Sequence, residues 1–309
     1  MADLILHHYP NSPFAEKARL MLGYKKLAWK SVIIPVVLPK PDLVALTGAY
    51  RRTPVLQIGA DIYCDTALIA DVLERIAPEP TLYPAAIDGL ARTFAQWADS
   101  TLFWTAISYA FQPAGMQSMF GHLPPEAVKA FAADRAAMRS GASRMAPAEA
   151  TGQLQEYLRR LEQMLAGGQA YLLGGAISIA DFSVYHALWY VRRVESLAHI
   201  LDASPALLAW MDRMAANGHH QFDKMRSDEA LVIAQESTPA AGDGLPTVDL
   251  HGVSLGQQVT ITPTDYALDP VQGELVLATA AEFAVRRVDE RAGCVVVHFP
   301  RLGFQLKPI

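Results

Sequence analysis

Residues Leu4 to Leu22 read LILHHYPNSPFAEKARLML. The apolar run Leu4-Ile5-Leu6 has the character of a strand, and it is broken at Tyr9-Pro10-Asn11-Ser12-Pro13. Past the break, Phe14, Ala18, Met21 and Leu22 recur at helical spacing. Serine is favoured at a helix N-cap and proline in the first turn, so Ser12 followed by Pro13 marks a helix start. The stretch predicts strand, tight turn and helix, with the Ser12 hydroxyl at the helix N-terminus. Unpaired amides and the positive end of the helix dipole gather there, and both favour an anion. Two readings of Ser12 stay open on this stretch: a plain cap, or a cap that also faces a bound anion.

The segments that follow extend the pattern. Trp29 to Ile34 predicts a second strand, and the proline-rich stretch from Pro35 to Thr47 a surface loop with a short helix. Arg51-Arg52-Thr53-Pro54-Val55-Leu56 is a turn feeding an apolar strand, and Val55 to Ile58, Gly59-Ala60-Asp61 and Ile62-Tyr63 predict a hairpin. Cys64-Asp65-Thr66-Ala67-Leu68-Ile69 leads from strand end through a polar pair into an amphipathic helix that stops near Pro78. The motifs YPNSPFAEKARLML, RRTPVL and CDTALIADVLE, in this order and separation, resemble the N-terminal thioredoxin-like domain of the glutathione S-transferase superfamily. The resemblance covers residues 3–78 and, more loosely, 90–215.

From Leu90 the pattern becomes helical, with Leu90, Phe94, Trp97, Thr101 and Trp104 recurring on one predicted face. Further helices are predicted from Pro124 to Arg139, Gly152 to Leu165, Leu207 to Met214 and Asp223 to Ala234, with a loop over 140–151. Ser178-Ile179-Ala180-Asp181 has the spacing of a capping box, which in this superfamily opens a buried core helix. Glu236-Ser237-Thr238-Pro239-Ala240-Ala241-Gly242-Asp243-Gly244 is a linker signal, and after it the period changes to that of short strands. The expected architecture is an α/β thioredoxin-like N-terminal domain over 1–78, an all-α middle domain over 88–235, and a small all-β, barrel-like module of about five strands over 245–309.

The totals constrain function. The chain has 309 residues, 51% of them hydrophobic, so a large core is available. A net charge of −5, and seven acidic against five basic residues from Pro246 onward, disfavour nucleic acid and anionic membrane as partners. No apolar run reaches 18 residues, and the opening MADLILHHYP lacks the basic and long apolar regions of a signal peptide. The two cysteines, Cys64 and Cys294, are far apart in sequence and form no disulfide framework. A cytoplasmic location is the expectation, and the resemblance implies a homodimer.

The resemblance also implies chemistry. Glutathione is the expected co-substrate, its thiolate held by Ser12, with Tyr9 the rival hydroxyl. Pro54 corresponds to a cis proline, and the Val55 backbone to the group that pairs with the cysteinyl part. Asp65 and Thr66 correspond to the pair that takes the γ-glutamyl end, while a plain N-cap by Asp65 stays open. Lys40 and Arg51 or Arg52 are the candidates for the glycine carboxylate, and a plain solvated charge stays open for each. Cys64 does not stand at the helix start, so thiol exchange is disfavoured and a buried structural residue is expected. Trp97, Thr101, Trp104, Ser108, Phe111, Met116, Met119 and Phe120 are either core or an apolar pocket for an electrophile. His7-His8 and His219-His220 lack the spacing of a zinc site, so no metal is expected. His298 is expected to be an exposed strand residue. The C-terminal module carries no recognisable catalytic constellation; covering a dimer surface, gating the pocket and binding a protein all stay open. The function implied is a glutathione transferase acting on a hydrophobic electrophile. The alternatives are a non-catalytic ligand-binding or assembly module and a glutathione-dependent isomerase.

Overall fold

The computed structural model describes residues 2–139, 145–240 and 252–309. Residues 140–144 of the expected loop and 241–244 of the expected linker lie outside them. The opening stretch folds as its punctuation dictates. β1 (Ile5–His8) ends in a turn closed by the Ser12 amide on the Tyr9 carbonyl at 3.2 Å. α1 (Pro13–Tyr24) then starts with proline, and the Ser12 hydroxyl oxygen accepts from the Ala15 amide at 3.2 Å. β2 (Trp29–Ile33) lies parallel to β1. After α2 (Pro41–Thr47), β3 (Val55–Ile58) and β4 (Asp61–Cys64) form the expected hairpin, followed by α3 (Thr66–Ile76). β3 also pairs antiparallel with β1, giving the thioredoxin-like order β4-β3-β1-β2.

The helical region follows as α4 (Asp88–Trp97), a π-helical turn at Ala98–Leu102, α5 (Phe103–Ala110), α6 (Pro113–Phe120), α7 (Pro125–Arg139), α8 (Pro147–Ala166), α9 (Ile179–Arg192), a 3-10 turn at Ala198–Leu201 and α10 (Pro205–Ala215). α8 starts inside the stretch read as loop, because Pro147 opens a helix rather than ending one. The stripe read on one face is split: Phe94 and Trp97 are partly buried against the core, and Leu90 is at the surface. Leu90 is 56% exposed, while Ala91, Ala95, Ala98 and Leu102 are buried. Small residues let α4 sit close to α9, and the π turn changes the helical phase before Phe103. α9 is buried along most of its length and is the hub of this region. At its start, the amide and hydroxyl of Ser178 both donate to one Asp181 oxygen, at 2.9 and 3.0 Å. The other oxygen accepts from the Leu172 amide at 2.9 Å and the Trp210 indole at 3.0 Å.

β5 (Phe222–Met225) is a strand where helix was expected, parallel to β2 at the sheet edge, and α11 (Ser227–Glu236) follows it. The C-terminal strands are β6 (Gln258–Pro263), β7 (Val271–Ala278), β8 (Glu282–Asp289), β9 (Gly293–Pro300) and β10 (Phe304–Pro308). They extend the thioredoxin-like sheet: β9 lies parallel to β4, and the whole order is β10-β6-β7-β8-β9-β4-β3-β1-β2-β5. Alternation along β9 explains the docking. Val295, Val297 and Phe299 join one apolar cluster with Leu43 and Leu46 of α2 and Ala230, Leu231 and Ala234 of α11, while Val296 packs with Leu277 and Ala284 on the other face. The five predicted strands are therefore present as a β extension of the first domain.

His298 is 4% exposed, which corrects the expectation of a surface strand residue. Its Nε2 lies 3.0 Å from an Asp61 oxygen, its Nδ1 2.6 Å from a Glu282 oxygen, and its ring stacks on Tyr63 at 4.5 Å between centroids. A lone alternating strand looks one-sided in sequence; pairing with β4 covers the side that looked free.

Candidate active site

The turn between β1 and α1, the loops before α2 and β3, helices α5 and α7, and the β6–β7 connection surround a cavity of about 1000 Å³. Ser12 is in its wall, with Tyr9, Asn11 and Phe14 from the same segment. As the N-cap, Ser12 spends one lone pair on the Ala15 amide. Among the described residues its hydroxyl donates to no acceptor, so that hydrogen is free for one. Much of the rest of the wall is apolar: Trp104, Ile107, Phe111, Phe120, Phe131 and Tyr190 line it. Of the stripe proposed as pocket or core, Trp104, Ser108, Phe111 and Phe120 reach the cavity, and Trp97, Thr101, Met116 and Met119 do not.

One end is cationic. Lys40, Arg51 and Arg135 all line the cavity. Asp134 takes Arg51 at 2.6 Å and Arg135 at 2.9 Å. Buried Lys40 donates to the Arg51 carbonyl at 3.3 Å and the Thr53 hydroxyl at 3.4 Å, and it pairs with no carboxylate among the described residues. Burial and the nearby charge of Arg135 bring its ammonium down to about 8. Three cations against one carboxylate leave this end suited to an anion.

Pro54, Val55, Asp65 and Thr66 are not in the cavity wall, so the structure does not gather all the expected residues around one void. The Thr53–Pro54 bond is cis, as the resemblance implies, and Val55 is fully buried in the sheet. Asp65 caps α3, accepting from the Ala67 amide at 2.9 Å, with a backbone φ of 78°. Burial pushes its carboxyl up, against the pull of that amide and of Arg52. The Thr66 hydroxyl accepts from Lys17 at 3.2 Å, and Lys17 in turn pairs with Asp99 at 2.6 Å. Asp99 also meets His186 at 2.9 Å; burial works against ionisation, but Lys17 and His186 outweigh it and the carboxyl falls to about 2. Cys64 is fully buried, and burial pushes its thiol up, as befits a structural residue.

Sequence reasoning singled out neither Asp134 and Arg135 of α7 nor Asp265 and Tyr266 of the β6–β7 connection. A signal existed for the last two. Thr264 to Asp269 carries a tyrosine between two prolines in a strand connection longer than a tight hairpin needs. Among the described residues no group of three His, Cys, Asp or Glu could hold a metal ion.

A family model for the glutathione S-transferase N-terminal domain matches residues 6–81, and one for the C-terminal domain matches residues 82–213. The chain belongs to the glutathione S-transferase superfamily. It is similar to a GST-like protein from Pseudomonas syringae, with 43% identity over 100% of both chains and a TM-score of 0.83. The C-terminal strands thus have a counterpart there, although the family models end before them. The fold is shared with beta-etherase LigF from Sphingobium sp. strain SYK-6, at 20% identity over 69% of this chain and 95% of that one, TM-score 0.51. It is shared also with a glutathione S-transferase from Rhodospirillum rubrum F11, at 18% identity over 77% of this chain and 94% of that one, TM-score 0.54. No curated protein matches the chain. The superfamily uses glutathione as co-substrate. Among the described residues no helix is long and apolar enough to cross a membrane.

Proposed function

We propose that the chain is a glutathione transferase in which Ser12 donates to the glutathione thiolate, and the thiolate attacks a hydrophobic electrophile held by the aromatic wall. The observation that carries this reading is the helix-capping serine, with its hydroxyl hydrogen uncommitted, in the wall of an aromatic cavity with a cationic end. A free thiol with a pKa of about 8.5 is only about 3% ionised at pH 7. Lowering that pKa by about two units requires about 2.7 kcal/mol of preference for the anion. A helix N-terminus supplies about 0.3–2 kcal/mol. A hydrogen bond to a charged group supplies about 1.5–3 kcal/mol. Together they suffice, and in this reading Ser12 combines them. The proton leaves to solvent, sulfur forms a bond to the electrophilic carbon, and the leaving group departs with its electron pair; a peroxide oxygen would be attacked in the same way.

In this reading Lys40 takes the glycine carboxylate, supported by the excess of positive charge around it. The Val55 backbone after Pro54 meets the cysteinyl part. Asp65 receives the γ-glutamyl ammonium, and the Thr66 amide and hydroxyl its carboxylate. A homodimer in the cytoplasm is the expected setting; sedimentation of the purified chain checks the first part.

A second reading, a transferase-like ligand-binding or assembly module, draws support from Asp65 and Thr66 lying outside the cavity wall. Calorimetry with glutathione separates the two: binding supports the transferase, and no heat at millimolar ligand supports the module. A glutathione-dependent isomerase needs the same thiolate. A panel of aryl halide, epoxide, peroxide and maleyl substrates distinguishes it from a transferase.

A further inference from the structure

Thr264 to Pro270 joins β6 to β7 and is longer than a tight hairpin needs. Holding such a loop in one shape costs conformational entropy, so it needs anchors. It has them on three sides. Within the C-terminal strands, the Thr264 amide donates to the Gly303 carbonyl at 3.0 Å. In the first domain, Arg52 donates to the Asp265 carboxylate and the Tyr266 carbonyl, and its guanidinium carbon lies 3.8 Å from the Tyr266 ring centre. In the helical domain, the Met138 carbonyl of α7 accepts from the Ala267 amide at 2.6 Å, and Trp104 of α5 meets the Tyr266 ring edge-on at 5.2 Å. Ala267 is buried with a φ of +46°, a left-handed conformation that alanine seldom adopts and that persists where its surroundings over-determine it. The loop lies beyond the matched transferase domains, yet it puts Tyr266 in the cavity wall.

The wall that leads to Tyr266 is continuous. Phe14, in the first turn after Ser12, meets Phe103 at 4.6 Å between centroids. Phe103 meets Trp104 at 5.2 Å, and Trp104 meets Tyr266. All four rings line the cavity. The row therefore begins beside the capping serine and ends on the C-terminal extension. We infer that the acceptor substrate is an aromatic compound of more than one ring, laid along this row from the sulfur at Ser12, and that Tyr266 is the specificity-determining residue at its far end. This rests on the glutathione reading above. Aromatic rings gain from edge-on and offset contact beyond the area they bury, so an aryl group suits this wall better than an alkyl chain of equal area. A ring on the sulfur meets Phe14 and Phe103 first, and a further ring carries on to Trp104 and Tyr266. The cavity of about 1000 Å³ is at the top of the range for a single small ligand, which leaves space for such an acceptor beside the tripeptide. The extension thereby takes part in substrate choice, and its anchors on Arg52 and Met138 hold Tyr266 at a fixed place in the wall.

Calorimetry on the full chain tests this with glutathione, S-benzylglutathione and S-(biphenylmethyl)glutathione. Wild type should bind the biphenyl ligand more tightly than the benzyl ligand. Tyr266→Ala should weaken the biphenyl ligand by about three- to tenfold, the worth of an aromatic contact. It should leave glutathione and the benzyl ligand unchanged. Tyr266→Phe should bind all three as wild type does, because the ring and not the hydroxyl makes the contact. Tyr266→Leu keeps an apolar side chain on the loop and should show the same selective loss, so the test stands where the alanine variant does not fold. A biphenyl affinity unchanged in these two truncations overturns the inference alone. So does a wild type that binds the benzyl ligand as tightly as the biphenyl one, and so does an equal loss for all three ligands in a folded variant. A wild-type chain that binds none of the three overturns the glutathione reading, and the inference with it.

Discussion

Nε2 of His298 in β9 lies 3.0 Å from Oδ1 of Asp61 in β4, across the parallel pairing that joins the C-terminal strands to the thioredoxin-like sheet. Glu282 of β8 holds the other ring nitrogen at 2.6 Å, and Arg75 of α3 stands 3.7 Å from that carboxylate. Burial alone would push the imidazole down, but the two carboxylates reverse this and leave its pKa above the ordinary value. The folded state therefore binds this proton more tightly than the unfolded chain does. The resulting stabilisation is fully present below the unfolded pKa of about 6.5 and is lost as pH rises through the higher folded value.

His298→Gln should accordingly destabilise the fold most in mild acid, by about 3–5 kcal/mol, because two carboxylates are left without their cation. The penalty should shrink as pH rises. Urea denaturation of wild type and variant across the neutral range measures this. A penalty independent of pH would show that His298 is neutral in the folded chain.

Asp181 is a larger structural commitment than a helix cap. Four donors converge on its carboxylate, from Ser178, Leu172 and Trp210. Truncation strands several buried donors, each costing about 1–3 kcal/mol, so Asp181→Ala should lose at least about 3 kcal/mol. A cap alone is worth about 0.5–2 kcal/mol. Chemical denaturation followed by tryptophan fluorescence, with Trp210 at the site, distinguishes the two values.

Lys40 gives the cavity a titratable cation, held at about 8 by burial and the charge of Arg135. Raising pH through that value neutralises the ammonium. Affinity for S-methylglutathione, which has no thiol to titrate, should therefore fall over this range. Lys40→Met should bind the ligand about tenfold more weakly at neutral pH and show a flatter pH profile. An unchanged profile would remove Lys40 from the carboxylate role.

Where local signals were strong, the sequence was informative. Ser12-Pro13 marked the start of α1, Gly59 the hairpin, and Ser178 with Asp181 the start of α9, because caps and turns depend on residues close in the chain. Long-range pairing left no such mark. That β9 would lie beside β4 depended on an edge that local periodicity does not register, and His298 looked exposed as a result. Spacing of the large side chains picked out Phe94 and Trp97, which are partly buried, but gave no sign that the fully buried positions of this stretch would be the small residues Ala91 and Ala98. Ser12 and Lys40, expected from the sequence to belong to the site, both line the cavity. Asp265 and Tyr266 belong to a loop more than two hundred residues from Arg52 and meet it only in the folded chain, where the C-terminal strands join the first sheet.

The central claim concerns the sulfur of glutathione at Ser12, and ultraviolet absorbance of the bound thiolate reads it directly. Titrated against pH in the wild-type complex, the thiol should ionise about two units below its free value of about 8.5. In Ser12→Ala, with glutathione still bound, the apparent pKa should rise by about one unit or more, since a hydrogen bond to a charged group is worth about 1.5–3 kcal/mol. The same midpoint in wild type and Ser12→Ala would contradict the account.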